Sequence, residues 1–348
     1  MSRPLTLSLD AMGGDHAPGA VVDGIAHVRL QYPGIRFLLF GDEAKLEPLV
    51  RGDLAECVEI RHAPRTVGSN EKPSQALRRG GDTSMRMAID AVRDGDADGV
   101  VSGGNTGALM AMALFSLRPQ AGIDRPAIAG FMPTECGESV MLDLGANVVC
   151  DEDNLVQFAL MGATFCRAVL GRVHPTVGLL NIGEEELKGN EIVRAVAERL
   201  RNIKNAGFHY HGFVEGHDIT RGVVDVVITD GFSGNVALKS HEGAARLVTY
   251  TMRQAISASW IAQLGFLIAR GAFRRLQNRL DPNGYNGGVF LGLNGVVVKS
   301  HGSANAAGVA SAIRIAADMV QDGMIERIAQ DCQTIDLLGG EMQKAGNA

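Results

Sequence analysis

The chain has 348 residues, 46% of them hydrophobic and 21% charged, with a formal net charge of −6. That length and balance suit a large buried core and one or two α/β lobes. The acidic total excludes general nucleic-acid binding, which needs a basic face, but leaves room for a local basic patch. Five cysteines, Cys57, Cys136, Cys150, Cys166 and Cys332, are widely spaced with no CxxC pair. This is the usage of a reduced, cytosolic chain with mostly buried thiols. The segment MSRPLTLSLD has no long apolar stretch, so no secretory signal is expected. The longest uncharged run, Gly99–Leu117, contains Gly103, Gly104, Asn105 and Gly107. It reads as strand, loop and helix start, not as a membrane span.

In chain order, Thr6–Leu9 and Arg36–Phe40 read as strands around a helix near Ala20–Gln31, which Pro33-Gly34 ends. Val58–Arg61 is a third strand and His62–Pro73 a polar loop. Pro73–Arg93 reads as one helix and Val100–Val101 as the next strand. Pro126–Pro133 and Ser139–Leu144 read as a strand pair across the turn TECGE. Leu155–Leu170 is a helix, Thr176–Asn181 a strand, and Asn190–Lys204 a helix. Val223–Thr229 is a strong central strand, and Ser303–Met319 an alanine-rich helix. Strands alternating with helices predict a three-layer α/β/α fold with a mostly parallel sheet. One α/β domain over 1–348 is expected, with a helical excursion near 250–290.

That excursion has its own texture. Met252, Ile256, Trp260, Leu264 and Ile268 recur every four residues, and Ile261 and Leu267 widen the face. Arg270, Arg274, Arg275 and Arg279 follow with no acid until Asp281. An apolar face followed by arginines suits three uses: packing against a twin helix, lying on an anionic membrane, or docking an acidic protein.

Six apolar runs end in glycine-bearing loops that open helices, a grammar expected to gather the loops along one sheet edge as a cleft for an anionic substrate. In the first loop are Asp10, Gly13, Gly14, Asp15 and His16; Asp15 is either a helix cap or a substrate contact, and His16 a substrate contact. In the second are Gly103, Gly104, Asn105 and Thr106, where Asn105 or Thr106 either caps the helix or offers its N–H to an anion. Lys188, in EEELKGNE, opposes the dipole of the helix it precedes. It either pairs with Glu184–Glu186 or holds phosphate or an oxyanion. Asp230, Ser233 and Asn235 follow the strongest strand, and His301 follows the last one. There is no Walker A sequence, no strict GxGxxG after the first strand, no HExxH and no GxSxG. These absences weigh against a P-loop nucleotidase, an NAD-linked dehydrogenase, a zinc hydrolase and a nucleophile-elbow esterase.

Taken together, DAMGGDHAP, SGGNTGALM, GIDRPAIA, LDLGANV, LLNIGEEELKGNE, VVITDGFSGNVALK and KSHGSANA resemble the phosphate acyltransferases of bacterial phospholipid synthesis. The resemblance runs from about Leu5 to about Met319. It implies a fold like that of the isocitrate and isopropylmalate dehydrogenases and the phosphotransacetylases. It also implies a homodimer with no metal or cofactor, attached peripherally to the inner face of the cell membrane. The implied reaction moves an acyl chain from acyl carrier protein to orthophosphate. The acyl phosphate then passes to a membrane glycerol 3-phosphate acyltransferase. By position, the resemblance puts catalytic roles on Lys188 and Asn235, with the glycine loops lining the cleft. His16 or His301 is a candidate proton donor. Trp260, Leu264, Leu267, Arg270, Arg274 and Arg275 fall where such proteins carry their dimer and membrane hairpin. An acyl coenzyme A phosphotransacetylase and a non-catalytic phosphoryl-ligand binding protein are the competing readings.

Overall fold

The computed structural model describes residues 4–203, 207–280 and 287–331. Its strands are β1 (Thr6–Asp10), β2 (Arg36–Gly41), β3 (Val58–His62), β4 (Gly99–Ser102), β5 (Ala127–Thr134) and β6 (Gly137–Leu142), followed by β7 (Thr176–Leu180), β8 (His209–Val214), β9 (Val226–Ile228), β10 (Gly288–Leu291) and β11 (Val296–Lys299). They form one sheet in the order β3-β2-β1-β4-β11-β10-β5-β6-β9-β7-β8. The helices are α1 (Gly19–Arg29), α2 (Glu43–Leu46), α3 (Pro73–Arg79), α4 (Ser84–Arg93), α5 (Thr106–Leu117) and α6 (Glu152–Leu170), then α7 (Glu191–Asn202), α8 (Gly216–Arg221), α9 (Gly231–Ser257), α10 (Trp260–Leu280) and α11 (Ala306–Gln321).

Two apolar cores sandwich the sheet. Phe37 and Leu39 join one core with α1, α6 and α11, while Leu38 and Phe40 join the other with α4 and α5. Successive strand side chains point to opposite faces, so a strand covered on both sides must be apolar throughout. This is why the strands read as continuous hydrophobic runs in the sequence.

The sheet has two halves that run in opposite directions. β3, β2, β1, β4 and β11 are mutually parallel, and so are β6, β9, β7 and β8. Between them β10 is antiparallel to both β11 and β5, and β5 is antiparallel to β6. Register decides where the halves meet. Lys299, the last residue of β11, lies opposite Gly288. The next residue, Val289, lies opposite Ala129, which puts Gly288 level with Gly130. Gly130 pairs with Met141, and Met141 with Val227; Met141 and Val227 lie one residue short of the ends of β6 and β9. The two halves therefore overlap only at their carboxyl ends. The expected single row of loops on one edge is instead two opposed rows facing each other across β10 and β5.

Several boundaries also differ from the sequence reading. The helix expected over Pro73–Arg93 is two, α3 and α4, broken at Gly80-Gly81. Thr83 restarts the second by accepting the Arg86 N–H. β8, α8 and β10 are short elements the apolar pattern did not signal. The continuous helical face expected from Met252 to Ile268 is broken by a turn at Ala258–Ser259. This leaves Met252 and Ile256 on α9, and Trp260 onward on α10.

Candidate active site

The first row of loops is organised by Asp10 at the end of β1. Its carboxylate is buried and accepts from Ser84 Oγ at 2.6 Å, Ser102 Oγ at 2.7 Å and the Met12 N–H at 3.3 Å. Burial pushes its pKa above the usual carboxylate value, while the two hydroxyls pull the other way. The glycines of the first two loops let their backbones touch. A Cβ on Gly13 would stand 2.5 Å from Asp10 Oδ2 and 2.7 Å from the Gly104 nitrogen.

The loop that opens α5 is held on several sides. The Gly104 N–H donates to Ser102 Oγ at 3.1 Å. Asn105 is the helix cap: its Oδ1 accepts the Ala108 N–H at 3.0 Å, and its amide donates to the carbonyls of Ser69 and Glu71. The Asn105 side chain is therefore committed to structure. The first-turn N–H groups of Thr106 and Gly107 precede the point where intrahelical bonding begins, and both residues line the cleft.

The second row is organised by Asp143, which is fully buried just after β6. Its Oδ1 accepts from the N–H groups of Ile128, Gly145 and Ala146 at 3.0–3.1 Å. Its Oδ2 accepts the Asn147 N–H at 2.6 Å and the Asn147 amide at 3.0 Å. This fixes the loop that presents Gly145 to Asn235. At Gly145 φ is +126°, and a Cβ there would lie 3.5 Å from the Asn235 Cβ. Asn235 sits in the first turns of α9, which Asp230 caps by accepting the Ser233 N–H at 2.7 Å.

Between the rows lies a cavity of about 760 Å³. Met12, Val67, Ile128, Phe131, Leu144 and Leu238 give it an apolar wall; Asn235, Lys239, Glu242, Lys299 and His301 give it a polar one. Lys239 Nζ donates to both Glu242 oxygens, at 3.0 and 3.3 Å, and lies 3.5 Å from His301 Nε2. His301 Nδ1 is 3.0 Å from Ser303 Oγ. Burial, then the charge of Lys239, lowers the His301 pKa below the usual 6.5. Lys299 Nζ donates to the carbonyls of Gly103 (3.3 Å) and Ser300. Burial draws its pKa down to about 8, opposed chiefly by Asp10.

Of the residues singled out from sequence, Gly14, Asp15, Gly103, Gly104, Asn105, Thr106, Asn235 and His301 line this cavity. Asp10, Gly13 and His16 line a small crevice behind the first loop. Asp15 caps no helix, because α1 begins only at Gly19, after Pro18. Lys188 stands apart from the cavity lining: it is exposed on the loop after β7, with Nζ 4.0 Å from Glu185. Asp230 and Ser233 bond to each other and do not line the cavity either. Sequence reasoning missed Lys299, Lys239 and Asp143. Lys299 had a signal: a lone charge ending the otherwise apolar strand VVVK.

The helices α9 and α10 form a hairpin. The Phe266 and Phe273 rings meet tilted at 48° with centroids 5.0 Å apart, and Met252 and Ile256 are partly covered. Its outer surface is apolar and open, with Trp260 73%, Leu264 52%, Leu267 62% and Ile268 83% exposed. Arg270 and Arg274 line the groove between the helices, and Arg275 is exposed farther along α10. The expected 250–290 excursion covers the outer end of α9, α10, residues 281–286, which lie outside the described residues, and the start of β10. No helix among the described residues is long and apolar enough to cross a membrane.

Comparison with known proteins places this architecture. A family profile described as fatty acid synthesis protein matches residues 5–327. The phosphate acyltransferase of Rhodospirillum centenum is 54% identical over 333 residues, 95% of this chain and 94% of that protein. This chain belongs to the phosphate acyltransferase family. The phosphate acyltransferase of Rhodospirillum rubrum is 50% identical over 97% of each chain. The protein is thus an acyltransferase. Among solved structures, a phosphotransacetylase from Streptococcus pyogenes superposes with a TM-score of 0.60 at 16% identity, over 92% of this chain and 95% of that one. A Staphylococcus aureus phosphotransacetylase gives 0.57 at 17% identity, over 91% and 94%. At that identity the likeness concerns the fold.

Proposed function

We propose that the cleft transfers a long-chain acyl group from acyl carrier protein to orthophosphate, and that the acyl phosphate is consumed by a membrane glycerol 3-phosphate acyltransferase. The observation that carries this reading is the two-sided cavity. Its polar wall joins a helix start to two lysines, the half-buried Lys299 and the exposed Lys239, as a phosphate needs. Its apolar wall suits an acyl chain.

In this reading orthophosphate lies against the first turn of α5, at Thr106 and Gly107. One phosphate oxygen attacks the thioester carbonyl, the carbon–sulfur bond breaks, and the pantetheine thiolate leaves. A thiolate is a good enough leaving group that His301 or His16 need only supply a proton after bond cleavage. The Asn235 amide donates to the carbonyl oxygen as it gains charge. Lys188 reaches in from its exposed loop when substrate is bound. Phosphate is itself the nucleophile once held in line, so no acyl-enzyme forms. The uncovered face of the hairpin serves for pairing with a second copy and for contact with the inner face of the cell membrane, and its arginines receive the acidic carrier protein.

The test is acyl-phosphate formation from long-chain acyl carrier protein and orthophosphate, with coenzyme A thioesters of equal length alongside. Phosphate-dependent thiol release from the carrier protein, faster than from coenzyme A, supports the reading. Preference for coenzyme A makes the protein a phosphotransacetylase, and binding without turnover makes it a phosphoryl-ligand receptor. Asn235→Ala and Lys188→Ala should each lower turnover about a hundredfold. Near-full activity in Lys188→Ala removes that residue from the mechanism.

A further inference from the structure

Lys299 is the last residue of an otherwise apolar strand, and its Nζ lies in the wall of the cavity. Lys299 is half-buried, and drawing an ammonium out of water is costly unless charge and hydrogen bonds compensate it. Among the described residues its hydrogen-bond partners are two carbonyl oxygens, and no carboxylate oxygen lies within salt-bridge distance. An ammonium carries three donors, so one remains. The near carboxylate, Asp10, acts on Lys299 through its charge and not through a hydrogen bond, because its oxygens accept from Ser84, Ser102 and the Met12 N–H. The neighbouring Lys239 differs, since Glu242 neutralises it. Methionine or leucine would fill the Lys299 site more cheaply. The retained charge stands where the carboxyl ends of the two half-sheets meet, beside the loop that opens α5.

We infer that Lys299 is an anion-holding residue, whose ammonium binds the phosphoryl oxygens of orthophosphate and of the acyl phosphate formed from it. This rests on the acyl-transfer reading above and names the residue that countercharges its nucleophile. Lys299 then has two duties. Its bond to the Gly103 carbonyl sets the loop, and its remaining donor meets the phosphate.

The depressed pKa of Lys299 adds a pH signature. The charged groups facing it are Asp10 from β1, Asp15 from the following loop, and Lys239 and Glu242 from α9, with His301 after β11. Burial and the Lys239 charge lower the His301 pKa, so this histidine titrates below the range in which Lys299 does. Free Lys299 loses its proton near pH 8, so orthophosphate affinity should fall between pH 7.5 and 9.

The experiment is calorimetric titration of the full-length protein with inorganic phosphate, alongside the KM for phosphate and for acyl carrier protein thioester. Lys299→Met should weaken phosphate binding by about tenfold or more, the loss of a charge-assisted hydrogen bond. The thioester KM should move less than threefold. Lys299→Arg should restore most of the affinity and flatten its decline above pH 7.5. In phosphate-free buffer Lys299→Met should melt at or above the wild-type temperature. Phosphate affinity within twofold of wild type in Lys299→Met would overturn the assignment and leave Lys299 as a loop fastener. Lys299-dependent phosphate binding without turnover would uphold it while refuting acyl transfer. A wild type that binds no phosphate refutes the assignment itself.

Discussion

Asp143→Asn exchanges one oxygen of a fully buried carboxylate for an NH₂ group at nearly constant volume. The Oδ1 position can keep its three backbone donors, Ile128, Gly145 and Ala146. The Oδ2 position cannot keep its partners, because an NH₂ there faces the Asn147 N–H at 2.6 Å and the Asn147 amide at 3.0 Å. Two donors lose their acceptor and meet another donor. Each orphaned buried donor costs about 1–3 kcal/mol. Against this, the neutral amide escapes the burial cost that pushes the Asp143 pKa up. The balance is a loss of about 2–3 kcal/mol, a large share of the 5–15 kcal/mol typical of a folded domain. Urea unfolding gives the stability difference, and amide exchange at 145–147 locates it. Turnover should fall as well, because the loop that sets Gly145 against Asn235 loosens. A change below 1 kcal/mol with unaltered exchange at 145–147 would refute the view that this carboxylate holds the second row of the cleft.

Three other outcomes are expected. If the α10 face meets the membrane as proposed, Leu264→Glu combined with Leu267→Glu should abolish sedimentation with anionic phospholipid vesicles; retained vesicle binding would remove the membrane role of that face. Iodoacetamide at pH 7.5 should label the exposed Cys136 without loss of activity, and should spare Cys150 and Cys166, whose burial raises them to about 11 and 12. Rapid inactivation traced to Cys150 would reopen thiol catalysis. His301 has a folded pKa below its usual 6.5, so as pH falls through 6.5 the unfolded chain takes up the proton first. The stability present above pH 6.5 should decline toward pH 5. His301→Asn should decline less over that window, and an identical slope would dismiss the histidine as its source.

What the sequence determined by itself was the set of local units. A strand buried on both faces has to be apolar throughout, and a chain that turns sharply out of a strand beside another loop needs glycine. Leu7–Asp10 before Gly13-Gly14, and Val100–Ser102 before Gly103–Asn105, are legible for those reasons. Seven short motifs in order also carried the family. The direction in which units pair is a non-local matter. Nothing within Ala127–Thr134 says that its first half pairs with β10 and its second with β6. Yet that stagger opposes the two rows of carboxyl ends and creates the cleft. The same limit explains the misplaced residues. Asp230, Ser233 and Asn235 are neighbours in sequence, but the helical turn sends only Asn235 to the cavity, while the first two close the cap. Lys188 read as a cleft lysine, whereas the cavity is lined by Lys299 and Lys239, brought together from β11 and α9. A side chain's electrostatic role depends on which charges and how much water surround it. For Lys299 the surroundings are Asp10, 289 positions earlier, and two carbonyls that only the folded sheet supplies.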